Sequence, residues 1–131
     1  MLELYALINS KIEPICSCYV DHYPEKEKKV YPYTEIRFPS VLPNDFCDGD
    51  LSDLNLLEID IWDDKGTDIT GIEQITNAVH KELKRFRFGD EALYVSISAN
   101  TPSRLSPPDP EIHIQRRQLR YIVTVYYKQG E

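Results

Sequence analysis

The sequence predicts an α+β domain: one mostly antiparallel sheet of about four to five strands, with two helices packed on one face. Three observations lead there. Two stretches carry apolar residues at helical spacing. Four others alternate apolar and polar residues with a period of two. Polar, Pro- and Gly-rich segments separate them. The chain has 131 residues, 41% hydrophobic and 28% charged. That length fits a single domain, residues 1–131, large enough to bury a real core.

The first helix is read from about residue 2 to 13. Leu2, Tyr5, Ile8 and Ile12 form its stripe, Leu4 and Leu7 widen it, and Pro14 stops it. HYPEKEKKVYP is polar and bounded by Pro, hence a loop. In YPYTEIRFP, Thr34, Ile36 and Phe38 share one side of a strand, and Tyr33, Glu35 and Arg37 the other. SVLPNDFCDGDLSD reads as a turn or long loop.

LNLLEIDIWDDKG follows. Leu57, Ile59 and Ile61 form its core side; Leu56, Glu58, Asp60 and Trp62 form the other, and DDKG turns the chain. A second helix begins near Thr70, where Thr70-Gly-Ile-Glu73 matches a reciprocal capping box, with Asp68 beside the positive helix end. Its stripe of Ile72, Ile75, Val79, Leu83 and Phe86 runs to about Arg87. Lys81, Lys84, Arg85 and Arg87 crowd its last turns, and Phe88-Gly89-Asp90 closes it.

ALYVSISAN alternates, with Leu93, Val95 and Ile97 inward and Tyr94, Ser96 and Ser98 outward. TPSRLSPPDPE contains four Pro and is expected to be irregular. QLRYIVTVYYK closes the chain as a strand. Leu119, Tyr121, Val123 and Val125 face the core; Arg116, Gln118, Arg120 and Thr124 face away.

Charge narrows the function classes. The net charge of −7 argues against tight binding of duplex nucleic acid, whose affinity rests on clustered Lys and Arg. The start MLELYALINSKIEP has neither a basic leader nor a long apolar core, and no apolar run approaches a membrane span, so a cytosolic protein is expected. Three Cys, at 16, 18 and 47, point to reduced thiols.

Asp45, Asp48, Asp50, Asp53, Glu58, Asp60, Asp63 and Asp64 crowd a region without Lys or Arg between Arg37 and Lys65. A hard cation needs convergent oxygens, and DFCDGDLSD lacks the full ligand order and terminal Glu of a calcium loop. The acids read better as the polar side of a strand and as turn formers. Cys16-Ser-Cys18 with His22 and Cys47 departs from the usual spacing of structural zinc ligands. His80 and His113 have no nucleophile at a recognisable elbow, and no Gly-rich phosphate loop is present. The reading is therefore non-enzymatic, without metal or cofactor.

Basic residues balance the acids at the other end of the chain. From Ile112 to Gly130 there is no acid, while Arg116, Arg117, Arg120 and Lys128 are present. An acidic and a basic strand make cross-strand or cross-subunit partners. Trp62 is either part of a small aromatic cluster beneath a loop or an interface anchor, since Trp, Tyr and Arg dominate hot spots. Glu58, Asp60, Trp62, Arg116 and Arg120 are thus the candidate oligomer contacts. Loops 43–53 and 101–110 are candidate arms that order on contact with neighbours.

The leading helix, YPYTEIRF, the LEIDIWD–turn–helix unit and RRQLRYIVTVYY after a Pro-rich segment together resemble the tail completion, or tail terminator, proteins of long-tailed bacteriophages and prophages. The resemblance spans about residues 2–128. Segments such as EKEKKV and CDGD are variable in those proteins. It implies a small subunit that forms a ring, typically a hexamer, on the last disc of the tail tube. The ring would stop tube polymerisation and meet the head connector or stopper protein. DNA would pass through its lumen without sequence-specific binding, which an acidic subunit favours. The implied location is the virion tail, with assembly in the host cytoplasm. The competing readings are a stand-alone α+β binding domain that dimerises through its sheet and, last, a small metal-dependent hydrolase.

Overall fold

A computed structural model describes residues 2–20, 29–43, 52–84, 86–90, 93–107 and 113–127. The elements run α1 (Leu2–Ile12), β1 (Cys18–Val20), β2 (Tyr33–Pro43), β3 (Ser52–Asp63), α2 (Thr70–Leu83), β4 (Arg87–Gly89), β5 (Leu93–Leu105) and β6 (Gln115–Tyr127). Strand dominates, and the sheet curls as a mixed half-barrel with two helices. Among the described residues its order is β1-β2-β3-β6-β5-β4.

This corrects the expected four-to-five-stranded antiparallel sheet. Six strands are present among the described residues, and β1 pairs parallel with β2. β1 and β4 escape a pattern reading because three residues are too few to display an alternation. The parallel pairing follows from the route of the chain. Residues 18–20 and 34–36 run the same way, and Thr34 N donates to Ser17 O at 2.8 Å.

The long strands also outrun their expected ends. β5 continues through TPSRL, and β2 through SVLP. Pro102 and Pro39 are tolerated because the register slips where they lie, between Ala99 and Arg104 and between Arg37 and Ser40, while Pro43 is the last residue of β2. A bulge leaves residues out of the ladder, so the missing N–H costs no hydrogen bond. Residues 44–51 and 108–110, which complete the two expected arms, lie outside the described residues.

The alternation in β3 and β6 sorts the two faces. Ile59 stands opposite Leu119 and Leu57 opposite Tyr121. With Ile36, Val95, Ile97, Val123 and Val125 they form one buried cluster with Leu4, Ile8 and Ile12 of α1 and Ile72, Val79 and Leu83 of α2. At roughly 1.5–3 kcal/mol for each fully buried aliphatic side chain, this layer is the main stabilising term of the fold.

Helix α2 ends at Leu83, short of the expected Arg87, and residues 87–89 pair with β5. Its capping box does not form. Ile69 occupies the N-cap without a side-chain bond. Asp68 Oδ1 instead accepts from Thr70 N at 3.0 Å, an interaction that lowers the Asp68 pKa. Glu73 is drawn away by two cations: Arg117 Nε donates to Oε1 at 2.7 Å, and Arg104 pairs with Oε2. Charge-assisted bonds outcompete the neutral backbone donor the box would serve. The turn before α2 holds Gly66 at φ 63, a left-handed conformation that glycine adopts without strain.

Candidate functional site

The back of the sheet carries the predicted contact residues, and it brings all five together. Trp62 stands opposite Arg116, and Glu58 opposite Arg120, on the adjacent strands β3 and β6. Asp60 lies between them, opposite Gln118 on β6 and Glu35 on β2. Because side chains alternate along a strand, Glu58, Asp60 and Trp62 share this face by the same parity that sends Leu57, Ile59 and Ile61 to the core.

Asp60 organises the face. Although outside the apolar core, it is 0% exposed. A buried carboxylate must be paired and hydrogen-bonded, and this one is. Oδ1 accepts from Arg116 Nε at 3.1 Å, Arg116 Nη2 at 2.8 Å and Gln118 Nε2 at 3.0 Å. Oδ2 accepts from Arg37 Nη2 at 2.5 Å. Glu58 extends the network, 3.5 Å from Arg37 Nη2 and 3.4 Å from Arg120 Nε. The acidic and basic strands therefore satisfy each other inside one chain. Of the two options open at the level of sequence, cross-strand pairing is realised.

Trp62 belongs to an aromatic row. Its ring stacks on Tyr33 at 5.1 Å with an interplanar angle of 19°, and the Arg116 guanidinium lies 5.2 Å from its centroid. Tyr31 and Tyr19 continue the row at 5.3 and 6.3 Å from Tyr33. Tyr33 is buried by these neighbours. Tyr94 and Tyr126 form a separate pair at 6.2 Å.

Beside this network lies an open cleft of about 420 Å3, lined by Leu105, Ser106, Pro107, Arg116, Gln118 and Arg120. Sequence reasoning missed it because its outer wall comes from the Pro-rich stretch read as irregular. It also missed the role of Arg37. The alternation had put Arg37 on the polar side of β2, and the signal lacking was that β2 neighbours β3.

The other candidates are placed as follows. Cys16 and Cys18 are free and buried. Burial first, and neighbouring acidic and thiol groups second, push the Cys16 thiol up to about 11. Burial likewise raises Cys18 to about 11, against a hydrogen bond with Thr34 that lowers it. A protonated thiol is a poor metal ligand. His22, Cys47, Asp45, Asp48 and Asp50 lie outside the described residues. Among the described residues no group of three or more His, Cys, Asp or Glu could hold a metal ion.

His80 projects from α2, and its Nδ1 lies 2.7 Å from the hydroxyl of buried Tyr121. Burial, with Lys84 and Arg104 nearby, lowers the His80 pKa, and burial raises that of Tyr121. His113 precedes β6, and its carbonyl accepts from Gly66 N at 3.1 Å. No helix among the described residues is long and apolar enough to cross a membrane.

No family model matches the sequence, and no curated protein matches it.

Proposed function

We propose that this chain is a non-catalytic assembly subunit of the tail-terminator kind. It forms a ring on the end of a phage tail tube, stops tube polymerisation, and meets the head connector or stopper protein. DNA passes through the lumen without sequence-specific contact.

One observation supports this reading above the others. The face of the sheet turned away from the helices holds Arg116 on the buried Asp60 carboxylate and against Trp62, and holds Arg120 on Gln118 and Glu58. A surface whose anchors are held before contact loses little side-chain entropy on binding, which is what a repeated subunit contact needs. Arg and Trp are also the residue types that carry most interface energy. The resemblance in the LEIDIWD–turn–helix unit and in RRQLRYIVTVYY supplies the kind of assembly. The net charge of −7 suits a ring through which phosphate must slide.

The test is the mass of the purified full-length chain, alone and with tail tube protein, together with micrographs of tails grown without it. A ring, and overlong headless tubes in its absence, are expected. A stable dimer indifferent to tube protein favours the stand-alone domain instead. Chelator-sensitive hydrolytic turnover favours the enzyme and overturns the proposal.

A further inference from the structure

We infer that the cleft beside Arg116 and Arg120 receives an acidic segment of a second copy of this chain, residues 44–51, NDFCDGDL. The inference rests on the ring reading and names the contact that would close it.

The cleft has the chemistry for a carboxylate-bearing peptide. Leu105 and Pro107 give it apolar surface, Arg116 and Arg120 give it charge, and among the described residues no carboxylate lines it. Both guanidinium groups are held from their inner side. Arg116 is fixed on Asp60 through Nε and Nη2. Arg120 donates through Nε to Gln118 Oε1 at 3.0 Å, with Glu58 Oε2 at 3.4 Å. Among the described residues nothing accepts from the terminal nitrogens of Arg120. A guanidinium carries five N–H donors in a planar fork, and a carboxylate is its natural bidentate partner.

The chain itself contains a complementary segment. Asp45, Asp48 and Asp50 stand among Phe46 and Leu51, with no Lys or Arg between Arg37 and Lys65. The segment enters β3 at Ser52, which stands opposite Tyr126 on β6. Arg120 and Arg116 lie six and ten residues further back along β6, roughly 20 Å or more of strand. Pro43 and Ser52, the described residues that flank the acidic segment, and the basic cleft therefore sit toward opposite ends of the sheet. Two different patches at opposite ends give a heterologous, head-to-tail contact, the kind that a ring requires. The two acids of β3 cannot supply the acidic half, because Asp60 and Glu58 are already engaged within the chain. Nucleic-acid phosphate is the weaker candidate, given two guanidinium groups on a chain of charge −7.

The test uses the full-length chain and two variants that replace no residue of the Asp60 network: Ser106→Glu, which puts a carboxylate into the cleft, and Asp45→Asn with Asp48→Asn and Asp50→Asn. Native mass spectrometry follows ring formation, and thermal melts confirm folding. A peptide of residues 44–51 with Ser in place of Cys47 is titrated in parallel. Each variant is expected to weaken assembly at least tenfold, and the peptide to bind wild type at least tenfold tighter than Ser106→Glu. Rings unchanged in both variants overturn this contact and leave the ring reading standing. A wild-type chain that stays monomeric with tube protein overturns the ring reading, and the peptide titration then decides the cleft alone. Short duplex DNA binding the cleft in place of the peptide overturns the inference.

Discussion

Arg116 grips Asp60 with two nitrogens on one oxygen, Nε at 3.1 Å and Nη2 at 2.8 Å, where the carboxylate has no contact with water. The pair joins β3 to β6 on the face opposite the core. It also aligns the guanidinium over Trp62. Removing one partner strands the other, which is the costly way to lose a buried ion pair.

Asp60→Ala should therefore destabilise the fold by about 3–5 kcal/mol, because it leaves Arg37 and Arg116 without their shared acceptor. Asp60→Asn, which keeps the shape and one carbonyl oxygen, should cost less. Urea titrations with an unchanged denaturant slope check this. A melt within 0.5 kcal/mol of wild type, on the order of the usual surface effect, would show the carboxylate to be dispensable. Reversing Asp60 to Arg is consequently a folding test before it is an assembly test.

Trp62 and Tyr33 form a stacked pair at 5.1 Å. Trp62→Leu should lose about 0.5–1.5 kcal/mol beyond the change in buried area, and Trp62→Phe less. As the chain has one Trp, its emission reports this face directly. Ring formation over the face should shift that emission. An emission spectrum identical in monomer and ring would place the contact elsewhere.

His80 gives the fold a dependence on pH. Its pKa is lowered in the folded protein, by burial first and by Lys84 and Arg104 second. Below the ordinary value of 6.5 the unfolded chain therefore binds more protons at this position than the folded one. The contribution is complete above pH 6.5 and is lost as pH falls toward the lowered folded value. Melting temperatures should fall from pH 7 toward acid, and less steeply in His80→Gln. Parallel curves for the two proteins would remove His80 from the account.

The thiols of Cys16 and Cys18 are buried and raised to about 11. In a Cys47→Ser background the native protein should resist alkylation at pH 8, because the thiolate is the nucleophile and is scarce. Unfolding should expose two reactive thiols. Mass spectrometry of the labelled chain counts them. Rapid native labelling of either would contradict its burial.

Much of the fold follows from local pattern. The period-two alternation of LLEIDIW and QLRYIVTV assigned Leu57, Ile59, Ile61, Leu119, Tyr121 and Val123 to the core, where all are buried. The helical spacing of Ile72, Val79 and Leu83 did the same for α2. The same alternation placed Glu58, Asp60, Trp62, Arg116 and Arg120 on one polar side. These are properties of neighbouring residues, and a periodic backbone converts them into faces whatever the rest of the chain does.

Strand order is not such a property. That β2 lies beside β3, so that Arg37 reaches Asp60, depends on segments more than 20 residues apart in sequence meeting in space. The mixed, curled sheet, the short edges β1 and β4, and the bulges that admit Pro39 and Pro102 into strands are of the same kind. So is the choice made by Glu73, which local rules send to its own helix end and which Arg104 and Arg117 claim instead. Local sequence determined which side chains face out together. Only the tertiary structure decided that their charges are spent on one another, because a carboxylate removed from water takes the nearest cations that the folded sheet provides.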